Sequence, residues 1–444
     1  MTCDILVSAR WLVTQDADRR VIENAGLAIA DGRIVALGPS DTMHGWQANE
    51  TLDMGNALIM PGLVNAHTHA AMTFLRGLGD DMPLMEWLEK RIFPVEANLT
   101  AEIVHTASLL GFAEMLATGT TACLDMYYFT SDVFRAAREA GIRCMAGEPV
   151  LAFPNAACKN WQESLVAMER LYAETPPDGR CSLVVNPHAV YTSTPEILAA
   201  CRDFAAAHNL PLHMHLSETT EETARCVAAH GKRPVAYCDS LGLLDLPITL
   251  AHVVDVTEDE LDLLASKPHV AIAHNPSSNM KLASGAAPIP AMLERGMAVC
   301  LGTDGAASNN GLNVFTEMRH CALMHKLVHR DPALVSAQAV LDMATCAGVA
   351  SLHNAHLGGC LAVGEPADLT VLDTGAPHMH PLYNPASHLV YVATGAEVLL
   401  TMVAGEVLYA INEKTGKGEF RRFDYVALRE EMESLSARTR KLVC

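Results

Sequence analysis

Twenty of the 444 residues are histidine, and several stand where they can act together. His67-Thr68-His69 and His213-Met214-His215 are two His-x-His pairs. Side-chain direction on a β-strand repeats every two residues, so each pair presents both imidazoles on one face. Two imidazoles, a third from another strand and a carboxylate suit a borderline metal such as zinc and leave room for water. A lone His-x-His in so histidine-rich a chain is weak evidence; the weight comes from its company. His215 opens His-x-x-Glu with Glu218, His252 and His274 each end an apolar run, and Asp304 ends another in Gly302-Thr303-Asp304-Gly305. Both pairs as primary ligands would overfill one site. His215 lies nearer the open end of its run and takes the metal. His213, one layer deeper, reads as a hydrogen-bonded core histidine.

The elements that must carry these residues are strands alternating with helices. Eight candidate strands are Ile59–Asn65, Thr120–Asp125, Arg143–Val150, Ser182–Pro187, Pro211–Leu216, Ile248–Val253, His269–Asn275 and Ala298–Thr303. Thr194-Pro195 and Thr257 with Glu260 mark helix starts, while Gly119 and Gly141 mark helix ends. Eight β–α units over about 300 residues predict an α/β fold, a closed (β/α)₈ TIM-type barrel rather than an open sheet. In such a barrel the reacting groups sit at the carboxyl ends of the strands. The histidines and the acid fall at the ends of strands one, five, six, seven and eight. Core packing alone gives no reason for that placement.

The flanking segments have a different texture. Ile5–Ser8 and Trp11–Thr14 are short β-prone runs, and Asp31-Gly32 and Ala404-Gly405 are hairpin signals. Residues 1–58 and 359–412 are expected to form one small discontinuous β-sandwich domain around a barrel of residues 59–358. Residues 413–444 are read as a C-terminal helical segment. Its stripe of Leu428, Met432, Leu435 and Leu442 fits docking on its own body. A subunit contact is the alternative, so a homo-oligomer stays open.

Composition excludes several classes. Lys plus Arg number 31 against 51 Asp plus Glu, a formal charge of −20. Nucleic acid and anionic membrane are therefore poor partners, since phosphate contacts need clustered cations. No run approaches about 18 apolar residues, and Met1–Gln15 lacks a leader pattern. The 13 cysteines are scattered without a Cys-x-x-Cys pair, as in a reduced, cytoplasmic protein. Phosphate-binding loops, a nucleotide-binding glycine fingerprint, a nucleophile elbow and the Pro-Cys-x-x-Cys of the base-editing type of zinc enzyme are all absent from the sequence.

In combination the motifs are specific. Pro61-Gly62-Leu63-Val64-Asn65-Ala66-His67-Thr68-His69, His215-Leu216-Ser217-Glu218, His252, His274-Asn275-Pro276-Ser277-Ser278-Asn279 and Leu301 to Asn310 resemble the amidohydrolase superfamily. The similarity is greatest to its deaminase and chlorohydrolase branch, and there to the 5-methylthioadenosine/S-adenosylhomocysteine deaminase family. The resemblance implies one divalent metal per subunit, held by His67, His69, His215 and Asp304. Zinc is the first choice, with iron or manganese also accepted by this donor set. No strand lysine is suited to carbamylation between two metals. The metal would bring its water toward a pKa of about 7. Asp304 would accept the water's proton and His252 would polarise it. Glu218 would protonate a ring nitrogen as C6 of adenine is attacked, a role that an amide substrate does not need.

The same resemblance implies that Glu96, in Arg91-Ile92-Phe93-Pro94-Val95-Glu96, accepts from both ribose hydroxyls, and that His188 touches the nucleoside. Glu218 and Asp304 would contact the base. Met72, Phe74, Met82, Met85 and Trp87 suggest an apolar lid, with Trp87 against the substrate. Glu148 stands where some relatives carry arginines for a substrate carboxylate. Repulsion there would favour 5′-methylthioadenosine, adenosine or 5′-deoxyadenosine over S-adenosylhomocysteine. The expected reaction is hydrolytic deamination of adenine nucleosides to inosine-type products and ammonia. The alternatives are a guanine, cytosine or s-triazine deaminase or chlorohydrolase of the same branch and, more remotely, a barrel that has lost its chemistry.

Overall fold

The chain changes sheets at Pro61-Gly62. The computed structural model describes residues 1–175, 179–354 and 357–443, with side chains to 438. The expected first strand from Ile59 is in fact two strands. Ala57–Pro61 pairs with Thr2–Val13 and with Leu369–Asp373 in an outer sheet, and Leu63–His69 begins the parallel structure. Proline cannot donate to a ladder, and a Cβ on Gly62 would lie 2.1 Å from Thr121 Oγ1. The two residues together break one strand and admit close passage past the next.

Among the described residues the outer sheet has nine strands. Both ends of the chain contribute, and its centre is Leu369–Asp373, Ala57–Pro61 and Thr2–Val13. Thr2–Val13 is one long strand where two short runs were expected. Asp31 and Gly32 both take positive φ, as do Ala404 and Gly405, in agreement with the hairpin signals. The sheet buries its own apolar core around Leu12, Leu27, Ile34, Ile59 and Val371. It also runs past residue 412: Gly418–Phe420 adds an edge strand, and the C-terminal helix starts only at Tyr425. Leu428, Met432 and Leu435 are buried, and Glu431 accepts from Thr106 Oγ1 of helix Ala101–Ala117 at 2.8 Å. The stripe thus docks on its own body; the side chain of Leu442 lies outside the described residues.

The remainder is mixed α/β with two parallel sheets, consistent with a TIM-type barrel. One holds Leu63–His69, Thr120–Met126, Arg143–Gly147 and Cys181–Leu183, and the other Leu212–Leu216, Ile248–His252, Val270–His274 and Ala298–Leu301. Parallel bridges from Val185 to Leu212 and from Ala189 to His215 connect them on one side. On the other side the eighth run continues from Leu301 to Asp304, which pairs with Thr68 of the first strand. Helices begin at the expected caps, Thr194 and the Thr257–Glu260 capping box, and Gly119 and Gly141 take the left-handed conformation.

The Arg143 guanidinium ties the parallel layer to the outer sheet. It donates to both oxygens of Asp368 at 2.6 and 2.9 Å, and Ala404 N donates to the same carboxylate at 2.7 Å. Both charged side chains are buried, so removing one strands the other. Asp368→Ala is expected to cost roughly 3–5 kcal/mol in denaturant unfolding. An unchanged midpoint would refute that coupling.

Candidate functional site

The histidines, Glu218 and Asp304 of the candidate site stand at or just past the carboxyl ends of parallel strands, while Trp87 and Glu96 come from helices Leu84–Trp87 and Phe93–Glu96. His67 and His69 close the first, Met126-Tyr127-Tyr128 leave the second, and His188 follows the fourth. His215 and Glu218 leave the fifth, His252 ends the sixth, and Asp304 completes the eighth. Ser217, His252 and Asp304 have φ of +53°, +74° and +61°. A left-handed backbone costs a non-glycine residue roughly 1–2 kcal/mol, and here it turns the side chain at a strand end inward. Gly302 is required for the same convergence, because a Cβ there would sit 2.4 Å from Asn275 Oδ1 and 2.7 Å from the His67 Cβ.

Donor atoms of His67, His215, His252 and Asp304 lie within 4.8 Å of one another, and all four residues are buried. His69 Nε2 joins them, 3.2 Å from Asp304 Oδ1 and 3.2 Å from His215 Nε2. Two nitrogen ligands of a tetrahedral ion with bonds of about 2.0 Å stand roughly 3.3 Å apart, so this spacing fits a shared metal. Among the described residues, His67 Nε2 is fully buried without a hydrogen-bond partner, 3.4 Å from Asp304 Oδ1. The far ring nitrogens are held: His67 Nδ1 by His213 Nε2 at 2.9 Å, His69 Nδ1 by the Met126 carbonyl at 2.6 Å, and His215 Nδ1 by the His188 carbonyl at 2.9 Å. Such contacts fix ring orientation and leave Nε2 free to ligate. His213 is thus a hydrogen-bonded core residue, as its depth in the strand suggested. Three imidazoles and a carboxylate fit a divalent metal.

Burial pushes the His67 imidazole down to about 4 and His215 well below its ordinary range, so both are neutral and able to donate a lone pair. Burial opposes charge on His69 too, yet its hydrogen bond to Asp304 lifts it to about 9. Asp304 resists burial through the same two imidazoles and stays well below the carboxylate range. Its Oδ2 accepts from Ser278 Oγ at 2.6 Å and Ser308 Oγ at 2.9 Å. Glu218 behaves oppositely. Burial raises its pKa, with His252 working against the rise. Its Oε2 is 3.7 Å from His252 Nε2, and Ser284 Oγ donates to Oε1 at 3.1 Å. His252 Nδ1 is held by Asn279 Oδ1 at 2.8 Å.

A pocket of about 560 Å³ opens beside these groups. His69, His215, Glu218, His252 and Asp304 line it, and so do the expected substrate residues Glu96, His188 and Trp87. Glu96 is buried, and Tyr127 OH donates to its Oε1 at 2.8 Å and Tyr128 OH to Oε2 at 3.4 Å. Of the expected lid, Met72 and Trp87 reach the pocket. Phe74, Met82 and Met85 pack instead against the core beside it.

Glu148 requires a correction. It accepts from Phe129 N, Thr130 N and Thr130 Oγ1 at 3.0–3.3 Å, and so caps helix Thr130–Ala140. It does not line the pocket. Free amides at a helix start recruit a carboxylate, and this removes the ground for ranking 5′-methylthioadenosine above S-adenosylhomocysteine. The tyrosine pair, Tyr191, which also lines the pocket, and the serines on Asp304 were not singled out from sequence. Tyr127 and Tyr128 follow the second strand directly, so the strand-end rule that found the histidines points to them as well.

Relatives agree with the geometry. A protein of Desulfovibrio desulfuricans named 5-methylthioadenosine/S-adenosylhomocysteine deaminase is 60% identical over 434 residues, covering 98% of this chain and 97% of that protein. One of the same name from Haloarcula marismortui is 40% identical over 410 residues, covering 91% and 92%. The structure of an adenosine deaminase from Xanthomonas campestris with bound zinc superposes with a TM-score of 0.94 at 34% identity, over 99% of both chains. A profile of the amidohydrolase family matches residues 58–408. With that match spanning every strand that carries the site, the chain belongs to the amidohydrolase family.

Proposed function

We propose that the protein deaminates the 6-amino group of adenine nucleosides by hydrolysis, with 5′-methylthioadenosine and S-adenosylhomocysteine as its substrate class. One observation carries the proposal: a histidine–aspartate cluster with Glu218 forms one wall of a pocket that also holds a buried acid, Glu96, braced by two tyrosines. The first suits an electron-poor ring and the second a vicinal diol. The parallel strands are taken to close as a (β/α)₈ barrel and the outer sheet to fold as a small β-sandwich. Units of 1–58 with 359–412, 59–358 and 413–444 follow, adjusted for the strands that reach Pro61 and Phe420. Twelve free cysteines among the described residues fit a reducing, cytoplasmic setting. No helix of the described residues is long and apolar enough to cross a membrane.

His67, His69, His215 and Asp304 would hold one divalent metal, zinc in the first instance. When bound, it supplies the Lewis acidity that brings water into range as a nucleophile at neutral pH. Asp304 accepts one water proton as the oxygen attacks C6, and His252, fixed by Asn279, orients the attacking oxygen. Glu218, whose pKa burial raises against the pull of His252, donates a proton to the ring nitrogen, so the electrons displaced from C6 end on N–H rather than on a bare anion. Asp304 then returns its proton to the departing amine. The remaining hydroxyl proton restores Glu218, leaving a C6 carbonyl, a ring N–H and ammonia.

Glu96 accepts from the two ribose hydroxyls. An ionised carboxylate has about four acceptor sites, enough for both tyrosines and both hydroxyls. Hydrogen bonds to charged groups contribute about 1.5–3 kcal/mol. Glu96→Gln is therefore expected to lower kcat/KM for nucleosides about 10–100-fold, mostly through KM. Turnover of 2′,3′-dideoxyadenosine should change little. Burial pushes the Glu96 carboxyl up to about 7 against the Tyr127 hydroxyl, the His69 charge and the Tyr128 hydroxyl. The ionised form exists above that value, so KM should rise as pH falls through about 7, and the rise should vanish in Glu96→Gln. The reaction itself is tested by ultraviolet monitoring of adenine-to-hypoxanthine conversion across a panel of nucleosides, guanine, cytosine and s-triazines. Higher efficiency on a free base or a triazine would overturn the nucleoside assignment.

A further inference from the structure

Away from the pocket, the structure brings His274, Cys321 and His325 together. His274 ends strand Val270–His274; Cys321 and His325 stand one turn apart on helix Val314–His329. Residues four apart share a helix face, so both side chains turn toward the strand. The three donor atoms lie within 4.8 Å of one another, and each residue is 0% exposed. The Nε2 atoms of His274 and His325 face each other at 3.2 Å, the spacing seen between His69 and His215.

As mere packing this arrangement is poor. Two imidazoles and a thiol are enclosed together, and among the described residues the Nδ1 of each ring finds no hydrogen-bond partner. The facing Nε2 atoms can share one proton between the rings, whereas a metal ion would engage both nitrogens and the sulfur beside them. We propose that His274, Cys321 and His325 form a second metal site, taking a thiophilic ion of the zinc class through two nitrogens and one sulfur. None of the three lines the pocket, so the site is separate from the catalytic one. On binding, the Cys321 S–H bond breaks, its proton leaves to solvent, and a sulfur–metal bond forms.

The site is the weaker of the two. Its rings lack the contacts on Nδ1 that hold His67, His69 and His215, so it fills last and empties first. Its metal clamps the helix to the strand. From the same helix Glu317 accepts from Ser277 and Asn309, and the short helix Pro276–Lys281 that carries Ser277 also supplies Ser278 to Asp304.

Cobalt substitution of the full-length protein tests the proposal. Among the described residues no cysteine lines the catalytic pocket, so a thiolate-to-cobalt charge-transfer band in the near ultraviolet reports the second site alone. The wild-type protein should bind two cobalt equivalents and show the band. Cys321→Ser should bind one and lose it, and its turnover with zinc in the first site should be kept within about twofold. A graded chelator titration should remove one equivalent before activity falls. A wild-type protein that binds a single equivalent without the band, or a band that persists in Cys321→Ser, overturns the proposal. The wild-type measurement decides even if the variant does not fold.

Discussion

Glu218→Gln is expected to lower kcat on adenine nucleosides by about 10²–10⁴-fold, the range typical of a lost general acid. The amide keeps the size of the side chain and can still accept from Ser284 Oγ, so the pocket should hold its shape. It cannot give a proton to a ring nitrogen and then take one back. Metal content should stay as in wild type, and the affinity for a non-reacting ribosyl ligand such as an inosine-type product should change by less than about threefold. The pH profile adds a second reading. Burial raises the pKa of Glu218, so its protonated form persists to higher pH than that of an exposed glutamate, and activity should decline as pH rises through that raised value. That limb should disappear from the residual activity of the variant. A kcat within tenfold of wild type would remove Glu218 from the chemistry.

Asp304→Asn should have the second large effect and separate it from Glu218. Asparagine tolerates the left-handed backbone found at this position, so the strand end is preserved. The substitution removes the charge that His67 and His69 face at 3.4 and 3.2 Å together with the proposed proton acceptor. Tight binding of one metal equivalent should be lost, and kcat/KM should fall by about 10³-fold or more. Chelation of the wild-type protein should mimic this loss, with recovery on adding zinc. In the variant, excess zinc should restore occupancy without restoring the rate. Full recovery of the rate would mean that Asp304 only holds metal. Retention of metal and rate together would dismiss it from the site.

Much of this was legible in the sequence. Ligand candidates were found because a strand alternates its side chains and because parallel strands of this kind end at one mouth, so His67, His69, His215, His252 and Asp304 could be placed without coordinates. Helix starts at Thr194 and Thr257 and turns at Gly119 and Gly141 were equally local, being set by a few neighbouring residues. Other features were not local. The run from Ile59 was continuous in apolar character, yet Pro61-Gly62 divides it between two sheets, and only the partners on each side reveal the division. An edge strand at Gly418–Phe420 exists because Glu406–Ile411 offers it a ladder.

By itself the sequence determined the donor types, their alternation on strands and the order in which they arrive at one end of the fold, because these depend on residue identity and spacing along a single chain. Tertiary structure alone decided where each acid goes. Glu96 and Glu148 are both buried carboxylates, each with a pKa of about 7, but two tyrosines direct one into the pocket while the amides of Phe129 and Thr130 claim the other. A carboxylate goes to the donors within its reach, and those donors come from elements distant in sequence whose approach no local pattern encodes.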